Sequence, residues 1–217
     1  MSKSGTESSK AKEPRAEIVN ASAALRRGEV IVFPTETLYG LGADALNLTA
    51  VEKIFELKGR NSANPIPLLV ADRRMLNDLV AEVPPLAEKL IASFWPGPLT
   101  IVLPARKNIS GPLLNSSGGV GVRISSQPIA SELISELGRP LTATSANPSG
   151  KPAARTVGEA KSYFAGKIDI FVDGGEMPSK TGSTVIEITK DSLAIIRSGE
   201  IGRAELQRVI GEGKILP

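Results

Sequence analysis

Apolar and polar positions alternate with two different periods along the chain from residue 16 onward. Residues 16–27 carry apolar side chains at a spacing near 3.6, which predicts an amphipathic helix that ends at Gly28. Residues 29–33 instead form a continuous, β-branched run followed by Pro34, which is typical of a buried strand. The two patterns together predict that helices and strands share one domain.

The same patterns recur through the rest of the sequence. They predict further helices at residues 48–57, 73–80, 84–94, 129–137, 156–164 and 203–210. They predict further strands at residues 66–70, 99–103, 119–124, 141–144, 168–172, 183–188 and 193–197. Because strands both alternate with helices and form a late hairpin, we predict an α/β fold with one mixed, twisted sheet flanked by helices.

The amino-terminal segment differs in composition from the rest of the chain. Residues 1–15 are polar, rich in Ser and Lys, and lack an apolar core, so we predict a disordered basic tail rather than a secretory signal. Residues 16–217 are then expected to form a single α/β domain, since no repeat or linker interrupts them. No apolar run approaches the roughly 18–20 residues that cross a bilayer, so we expect a cytoplasmic protein without membrane contact.

The chain contains no cysteine and no histidine among its 217 residues. This excludes thiolate nucleophiles, Ser-His-Asp catalysis, and the zinc, haem and iron–sulfur sites that Cys and His hold. A general base must then be Asp, Glu, Lys, Tyr or a group of the substrate. The formal net charge is +3, but the tail carries four basic and two acidic residues, so the body is nearly neutral. A nearly neutral body with 4% aromatic residues argues against a nucleic-acid-binding surface.

One glycine motif has the form of a nucleotide-binding signature. Residues 40–45 match G-x-G-x-x-A, but six residues separate these glycines from the predicted strand before them. A dinucleotide fingerprint requires its glycines in the turn that directly follows the strand. We therefore do not predict a dinucleotide site.

Polar, glycine-bearing turns lie at or near several predicted strand ends, at residues 34–40, 116–119, 145–150 and 181–184. Open α/β sheets bind ligands at strand ends, where backbone N–H groups and hydroxyl side chains converge. Arg123 and Arg197 each end an apolar strand, and arginine binds carboxylate or phosphate in a bidentate manner. Lys58 and Arg60 close a predicted helix, where two interpretations are open: they bind an anion, or they only stabilise the helix C-terminus.

Seven segments of the chain follow one another in a characteristic order and spacing. They are PTETLYGLGADA, KGR followed by NP, FWPGPLT, GVGVR, TSANPSGKPA, GSTV and IIRSGEI. Together they resemble the YrdC/Sua5 family of threonylcarbamoyl-AMP synthases. The resemblance covers about residues 16–210 and implies a YrdC-like fold with a concave, positively lined cleft, in the short, single-domain form of the family.

The resemblance also implies a reaction and its participants. The implied enzyme is a nucleotidyltransferase that joins L-threonine, bicarbonate and ATP into L-threonylcarbamoyladenylate and releases pyrophosphate. Its product serves the N6-threonylcarbamoyl modification of adenosine 37 in tRNA. The implied cofactor is Mg2+ bound with ATP, and the implied partners are tRNA and downstream threonylcarbamoyl-transfer proteins.

Individual roles are carried over from the family onto matching positions. The implied catalytic residues are Lys58, Arg60, Ser145 and Asn147. The residues implied to bind ATP are Lys58, Arg60, Asn64, Gly119, Ser145, Ala153 and Arg197. The residues implied to bind threonine are Thr35, Arg123, Ala143 and Ser183. The resemblance assigns no metal ligand.

Two positions depart from the family pattern. Many members have a histidine shortly after the Asn-Pro pair, whereas this chain continues to Ala71 without one. Many also have a proline directly after the arginine, where this chain has Ile124. Two alternative functions therefore stay open: an RNA-binding module that uses the same cleft, and a YciO-like enzyme that acts on a related adenylate.

Overall fold

The computed structural model describes residues 12–59, 65–109, 111–189 and 191–216. Within these ranges the helices are α1 (Lys12–Arg26), α2 (Leu48–Lys58), α3 (Arg73–Leu79), α4 (Pro85–Phe94), α5 (Pro128–Leu137), α6 (Val157–Phe164) and α7 (Arg203–Ile210). The strands are β1 (Ile31–Pro34), β2 (Tyr39–Gly42), β3 (Leu68–Leu69), β4 (Leu99–Pro104), β5 (Gly119–Arg123), β6 (Leu141–Thr142), β7 (Thr144–Ser145), β8 (Ile170–Phe171), β9 (Thr184–Thr189) and β10 (Ser192–Arg197). All seven predicted helices are confirmed.

The first helix begins earlier than the sequence pattern indicates. α1 starts at Lys12, so residues 12–15, which we placed in the tail, continue the helix instead. Pro14 lies in the first turn, where its missing N–H has no intrahelical partner to lose. Residues 1–11 of the predicted tail lie outside the described residues.

The strands form two mixed sheets rather than the one sheet that we predicted. A four-stranded sheet has the order β7-β2-β1-β8, and a six-stranded sheet has the order β10-β9-β4-β5-β3-β6. Each sheet combines parallel and antiparallel pairs, so the mixed α/β class is confirmed. The predicted strand at residues 141–144 is divided at Ala143, and its halves join different sheets. Ala143 therefore marks the point where the chain crosses from one sheet to the other.

The apolar pattern does not predict β2, whose first two residues lie in the turn predicted at residues 34–40. This strand is fully buried and pairs with β1 in an antiparallel register that sets Gly40 opposite Phe33. A Cβ atom at Gly42 would lie 2.8 Å from Phe33 Cε1, closer than packed atoms approach. The two glycines therefore make room for an aromatic ring, which explains why the G-x-G-x-x-A match does not form a dinucleotide loop.

The helices cover the sheets through their apolar faces. α1 packs on α5, and Leu25 and Leu133 share one buried cluster with Phe33 of β1. α4 packs on α7, and Leu90 and Leu206 belong to the larger core cluster. None of the described helices is both long enough and apolar enough to cross a membrane.

Candidate functional site

A cavity of about 520 Å³ is lined by residues of both sheets. The four-stranded sheet contributes the turn between β1 and β2 together with Thr144 and Ser145. The six-stranded sheet contributes one face of β4, β5 and β9. Strand ends from two sheets therefore meet at one concave site, which is where ligands bind in folds of this class.

The alternation of β5 provides the floor of the cavity. Gly119, Gly121 and Arg123 line the cavity, whereas Val120 and Val122 point the other way and are fully buried in the core. Successive side chains of a strand point to opposite faces, so a single GVGVR segment supplies both the core and the site. The floor therefore has no side chain at Gly119 and Gly121, and the cationic side chain of Arg123 lies at its end.

Arg123 is the buried cation of the cavity, with 5% of its surface exposed. Its Nη1 donates a hydrogen bond to Glu36 Oε1 at 2.5 Å, and Ser125 Oγ donates to the other oxygen of the same carboxylate. Burial lowers the pKa of Arg123, and the charge of Glu36 opposes that effect. Sequence reasoning missed Glu36, although its position beside Thr35 in the PTET segment was a usable signal.

Thr35 shapes the turn that carries Glu36. Its hydroxyl donates to the carbonyl oxygen of Leu38 at 2.6 Å and accepts from the Leu38 N–H at 3.2 Å. These hydrogen bonds close the turn on itself, as hydroxyl side chains do in short loops. Thr35 lines the cavity and also fixes the turn that delivers Glu36 to Arg123.

A second polar group lies on the β4–β9 side of the cavity. The hydroxyls of Ser183 and Thr100 are 3.0 Å apart, and both residues are buried. Arg197 Nη2 donates to Ser183 Oγ at 2.9 Å and to the Ser183 carbonyl oxygen at 2.8 Å. The guanidinium of Arg197 is thus held against Ser183, the residue directly before β9.

The loop before β9 is held in place by a carboxylate. Ser179 and Thr181 both donate to Glu200 Oε1, at 2.5 Å and 2.6 Å. These two hydrogen bonds lower the pKa of Glu200. Lys180, between the two donors, lines the cavity, so the loop presents a cation that the sequence analysis did not assign to the site.

Lys58 is buried, with 4% of its surface exposed. Its ammonium group donates to the carbonyl oxygen of Ser145 at 2.6 Å and to that of Asn147 at 2.9 Å. The side-chain amide of Asn147 in turn donates to the carbonyl oxygen of Lys151 at 2.7 Å. The C-terminal end of α2 and the SANPSG loop are therefore joined through one ammonium group.

The chain is similar to a family model and to proteins of known function. The family model Sua5_yciO_yrdC, described as Telomere recombination, matches residues 23–199. The chain belongs to the Sua5/YciO/YrdC family. It is 42% identical over 197 residues to the threonylcarbamoyl-AMP synthase of Pyrococcus abyssi, covering 91% of this chain and 58% of that protein. It is 41% identical over 196 residues to the threonylcarbamoyl-AMP synthase of Bacillus subtilis, covering 90% of this chain and 57% of that protein.

Solved structures of the family share the fold. The crystal structure of P. abyssi Sua5 complexed with L-threonine superimposes with a TM-score of 0.85 at 42% identity, over 92% of this chain and 59% of that chain. The crystal structure of E. coli YciO gives a TM-score of 0.79 at 28% identity, over 89% of this chain and 93% of that chain. The YrdC-like fold is thereby confirmed. The chain spans less than two thirds of the length of the two synthases it matches.

Most of the residues predicted from the family resemblance meet at the cavity. Those that line it are Thr35, Gly119, Arg123, Ala143, Ser145, Ala153, Ser183 and Arg197. Lys58 and Asn147 are not among the lining residues, but the Lys58 ammonium group donates to the carbonyl oxygens of Ser145, which lines the cavity, and of Asn147. Arg60 and Asn64 lie outside the described residues. Their predicted role in binding ATP stays a prediction.

The described residues of this family member offer little to a metal ion. Among them, no group of three or more Asp, Glu, Cys or His side chains is close enough together to hold one. Hard cations such as Mg2+ prefer carboxylate, phosphate and water oxygens. A metal bound by phosphate oxygens of a substrate would not require such a group of protein side chains.

Proposed function

We propose that this protein is an L-threonylcarbamoyladenylate synthase. It converts L-threonine, bicarbonate and Mg2+-bound ATP into threonylcarbamoyl-AMP and pyrophosphate. The carrying observation is a cavity with a buried arginine and a hydroxyl pair, in a chain 42% identical to a protein solved with L-threonine. The YciO structure matches at 28% identity, which gives weaker support to the YciO-like alternative.

The proposed chemistry forms two bonds in succession. The amine nitrogen of threonine attacks the carbon of bicarbonate, or of the CO2 derived from it, and water leaves to give a carbamate. A carbamate oxygen then attacks the α-phosphorus of ATP, and the bond to the β-phosphate oxygen breaks to release pyrophosphate. Neither step needs histidine, because positioning and charge neutralisation supply most of the catalysis in such a transfer.

Different side chains of the cavity suit the two substrates. Arg123 offers a buried guanidinium to the α-carboxylate of threonine, and Ser183 offers a hydroxyl. Arg197 and Lys180 line the same cavity and offer positive charge to the phosphates of ATP, with Ser145 on the opposite sheet. Charge that develops on the leaving pyrophosphate is offset by such preorganised cations. Mg2+ enters this scheme as part of the nucleotide substrate.

The product defines the proposed partners. A threonylcarbamoyl adenylate is a mixed anhydride with an activated carbamoyl group, so a transferase with an acceptor nucleophile must consume it. We propose that tRNA and threonylcarbamoyl-transfer proteins are the downstream partners, and that the reaction takes place in the cytoplasm.

The deciding experiment is incubation of the protein with Mg2+-ATP, L-threonine and bicarbonate, followed by pyrophosphate detection and mass spectrometry of the adenylate. We expect pyrophosphate release that requires both threonine and bicarbonate. Arg123→Lys keeps the charge but loses the planar fork, so it should raise the threonine KM and leave the ATP KM nearly unchanged. Pyrophosphate release without threonine would favour a YciO-like activity. Absent turnover together with tight, salt-sensitive RNA binding would favour the RNA-binding module.

A further inference from the structure

Two glycines of the cavity floor, Gly119 and Gly121, differ in how closely their neighbours pack around them. A Cβ atom at Gly119 would lie 2.7 Å from Val102 Cγ1, so packing alone requires glycine there. A Cβ atom at Gly121 would lie 3.4 Å from Thr100 Cγ2 and 3.6 Å from Pro67 Cβ. These are ordinary van der Waals distances, so the neighbours of Gly121 leave room for a methyl group.

The backbone does not require glycine at position 121 either. Gly121 lies inside β5, paired with Val102 of β4, and it is absent from the glycines with positive φ. A glycine within a strand weakens it, because glycine loses more conformational freedom on folding and leaves no side chain to pack. Since neither packing nor backbone geometry calls for glycine, its effect is to keep the space above it empty.

The space above Gly121 adjoins two polar groups, which lie on the same side of it along β4 and β5. Arg123 follows on the same face two residues along the strand, a step of about 6.6 Å. Thr100, whose Cγ2 is the nearest described atom to the missing Cβ, holds its hydroxyl 3.0 Å from that of Ser183. A small ligand with an anionic group, a short carbon branch and a hydroxyl matches this arrangement of a cation, a bare surface and a hydroxyl pair.

We propose that Gly121 determines which amino-acid side chains the site accepts. With the α-carboxylate on Arg123, the substituents on Cβ of the amino acid occupy the space above Gly121, and the β-hydroxyl reaches the Ser183–Thr100 pair. The inference rests on the proposed function, because it takes threonine to be the amino-acid substrate. Selection among substrate side chains is thereby assigned to Gly121, a residue that has no side chain.

The test is Gly121→Ala, measured by calorimetric titration with threonine, serine and glycine and by the pyrophosphate assay. The new methyl group occupies the space of the Cβ substituents, so we expect threonine Kd and KM to rise by about 10- to 200-fold. Serine should lose less than threonine, glycine should lose nothing, and the ATP KM should not change. The melting temperature should stay close to that of the unmodified protein, because the added Cβ meets no atom closer than 3.4 Å.

A matched control is Gly158→Ala in α6, where the added Cβ would meet only Thr156 Oγ1, at 3.8 Å. It adds the same methyl group away from the cavity, and threonine binding should be unchanged. If Gly121→Ala weakens threonine, serine and glycine equally, or weakens none of them, the proposed role of Gly121 is overturned.

A second measurement on the unmodified protein covers the case in which Gly121→Ala folds poorly. Serine, threonine, valine, leucine and phenylalanine are compared as ligands. Leucine and phenylalanine should bind at least about tenfold more weakly than threonine, because they exceed the space above Gly121. Equal binding of leucine and threonine would refute the inference.

If the unmodified protein neither binds nor consumes threonine, the proposed function and this inference fail together. If the protein binds and consumes threonine but binds leucine and phenylalanine equally well, the proposed function stands and the inference about Gly121 fails.

Discussion

At the residue scale, the Glu36–Arg123 pair stabilises the fold and holds the guanidinium that we propose binds the amino-acid substrate. Removing a guanidinium and a carboxylate from water is costly, and their attraction compensates only when geometry and further hydrogen bonds are good. Here the carboxylate accepts from both Arg123 and Ser125, and Glu36 has only 13% of its side chain exposed. The pair fixes the guanidinium at the edge of the cavity, ready for a second anion.

Replacing Glu36 by Gln should destabilise the protein. The change leaves the guanidinium of Arg123 buried without its counter-charge, and we expect the free energy of unfolding to fall by about 1–3 kcal/mol. Chemical denaturation of the variant measures this loss. The control is Glu29→Gln, whose ion pair with Arg27 is exposed and should contribute less than about 1 kcal/mol. Equal losses for the two variants would contradict the role assigned to burial.

Lys58 gives a second prediction at this scale. Lys58→Ala removes an ammonium group from two carbonyl oxygens of the SANPSG loop, so the loop should lose its fixed position. We expect unfolding free energy to fall by about 1–3 kcal/mol, since a hydrogen bond to a charged group contributes about that much. Pyrophosphate release should also fall, because Ser145 lines the cavity. If Lys58 only stabilises the C-terminus of α2, stability should fall by about 0.3–1 kcal/mol and turnover should be unchanged.

At the element scale, the loop before β9 is shaped by hydrogen bonds and by close packing. Ser179 Oγ accepts from the N–H groups of Thr181 and Gly182 while it donates to Glu200. A Cβ atom at Gly199 would lie 2.5 Å from the carbonyl oxygen of Gly182, so only glycine permits the two loops to approach this closely. These contacts hold in place the short segment that carries Lys180 to the cavity.

The hydrogen bonds to Glu200 predict that the stability of the protein decreases as the pH falls. Hydrogen bonds from Ser179 and Thr181 lower the pKa of Glu200 from its ordinary value of 4.5. A lowered pKa in the folded state means that the stabilisation is present above the unfolded pKa and is lost as pH falls through the folded pKa. We therefore expect Glu200→Gln to melt below the unmodified protein at neutral pH, and the difference to vanish in acid.

Amide hydrogen exchange locates the effect of Glu200→Gln. Exchange of the Thr181 and Gly182 N–H groups should become faster in the variant at neutral pH, because their acceptor Ser179 loses its anionic partner. Exchange in β4, at the centre of the six-stranded sheet, serves as the internal reference. A melting difference that persists unchanged in acid would show that the ionisation of Glu200 has no part in holding the loop.

At the scale of the whole molecule, the two sheets are connected through the candidate site. The chain passes from one sheet to the other at Ala143, and the Glu36–Arg123 pair joins the β1–β2 turn to the end of β5. α1 covers the four-stranded sheet from outside together with α5. Residues that we propose to bind the ligand therefore also connect the two sheets.

Truncation at the amino terminus tests which part of the first segment belongs to the fold. Deleting residues 1–11 should leave the melting temperature and turnover unchanged, because this polar stretch has no apolar periodicity to bury. Deleting residues 1–25 also removes Ile18, Ala21 and Leu25, which are buried in the cluster with α5, and should lower the melting temperature sharply. An equal effect of both deletions would place a stabilising contact within residues 1–11.

The sequence by itself determined the fold class and most of the helices and strands. Helix and strand periods are local properties, so the seven helices and the strands of the six-stranded sheet follow from the order of apolar residues. The family motifs also identified eight residues that line the cavity. Local pattern does not reveal β2, because its glycines carry no periodic signal and its place depends on the ring of Phe33.

Only the tertiary structure decided how the site is assembled. Glu36 and Arg123 are 87 residues apart, and so are Lys58 and Ser145, so no local pattern can pair them. The split of residues 141–144 between two sheets depends on which strands are free to pair on either side of Ala143. The open space at Gly121 likewise depends on Thr100 and Pro67, which come from two neighbouring segments of the sheet. Tertiary packing sets the distances between residues that are remote in sequence, and it brings the residues of separate motifs together as the lining of one cavity.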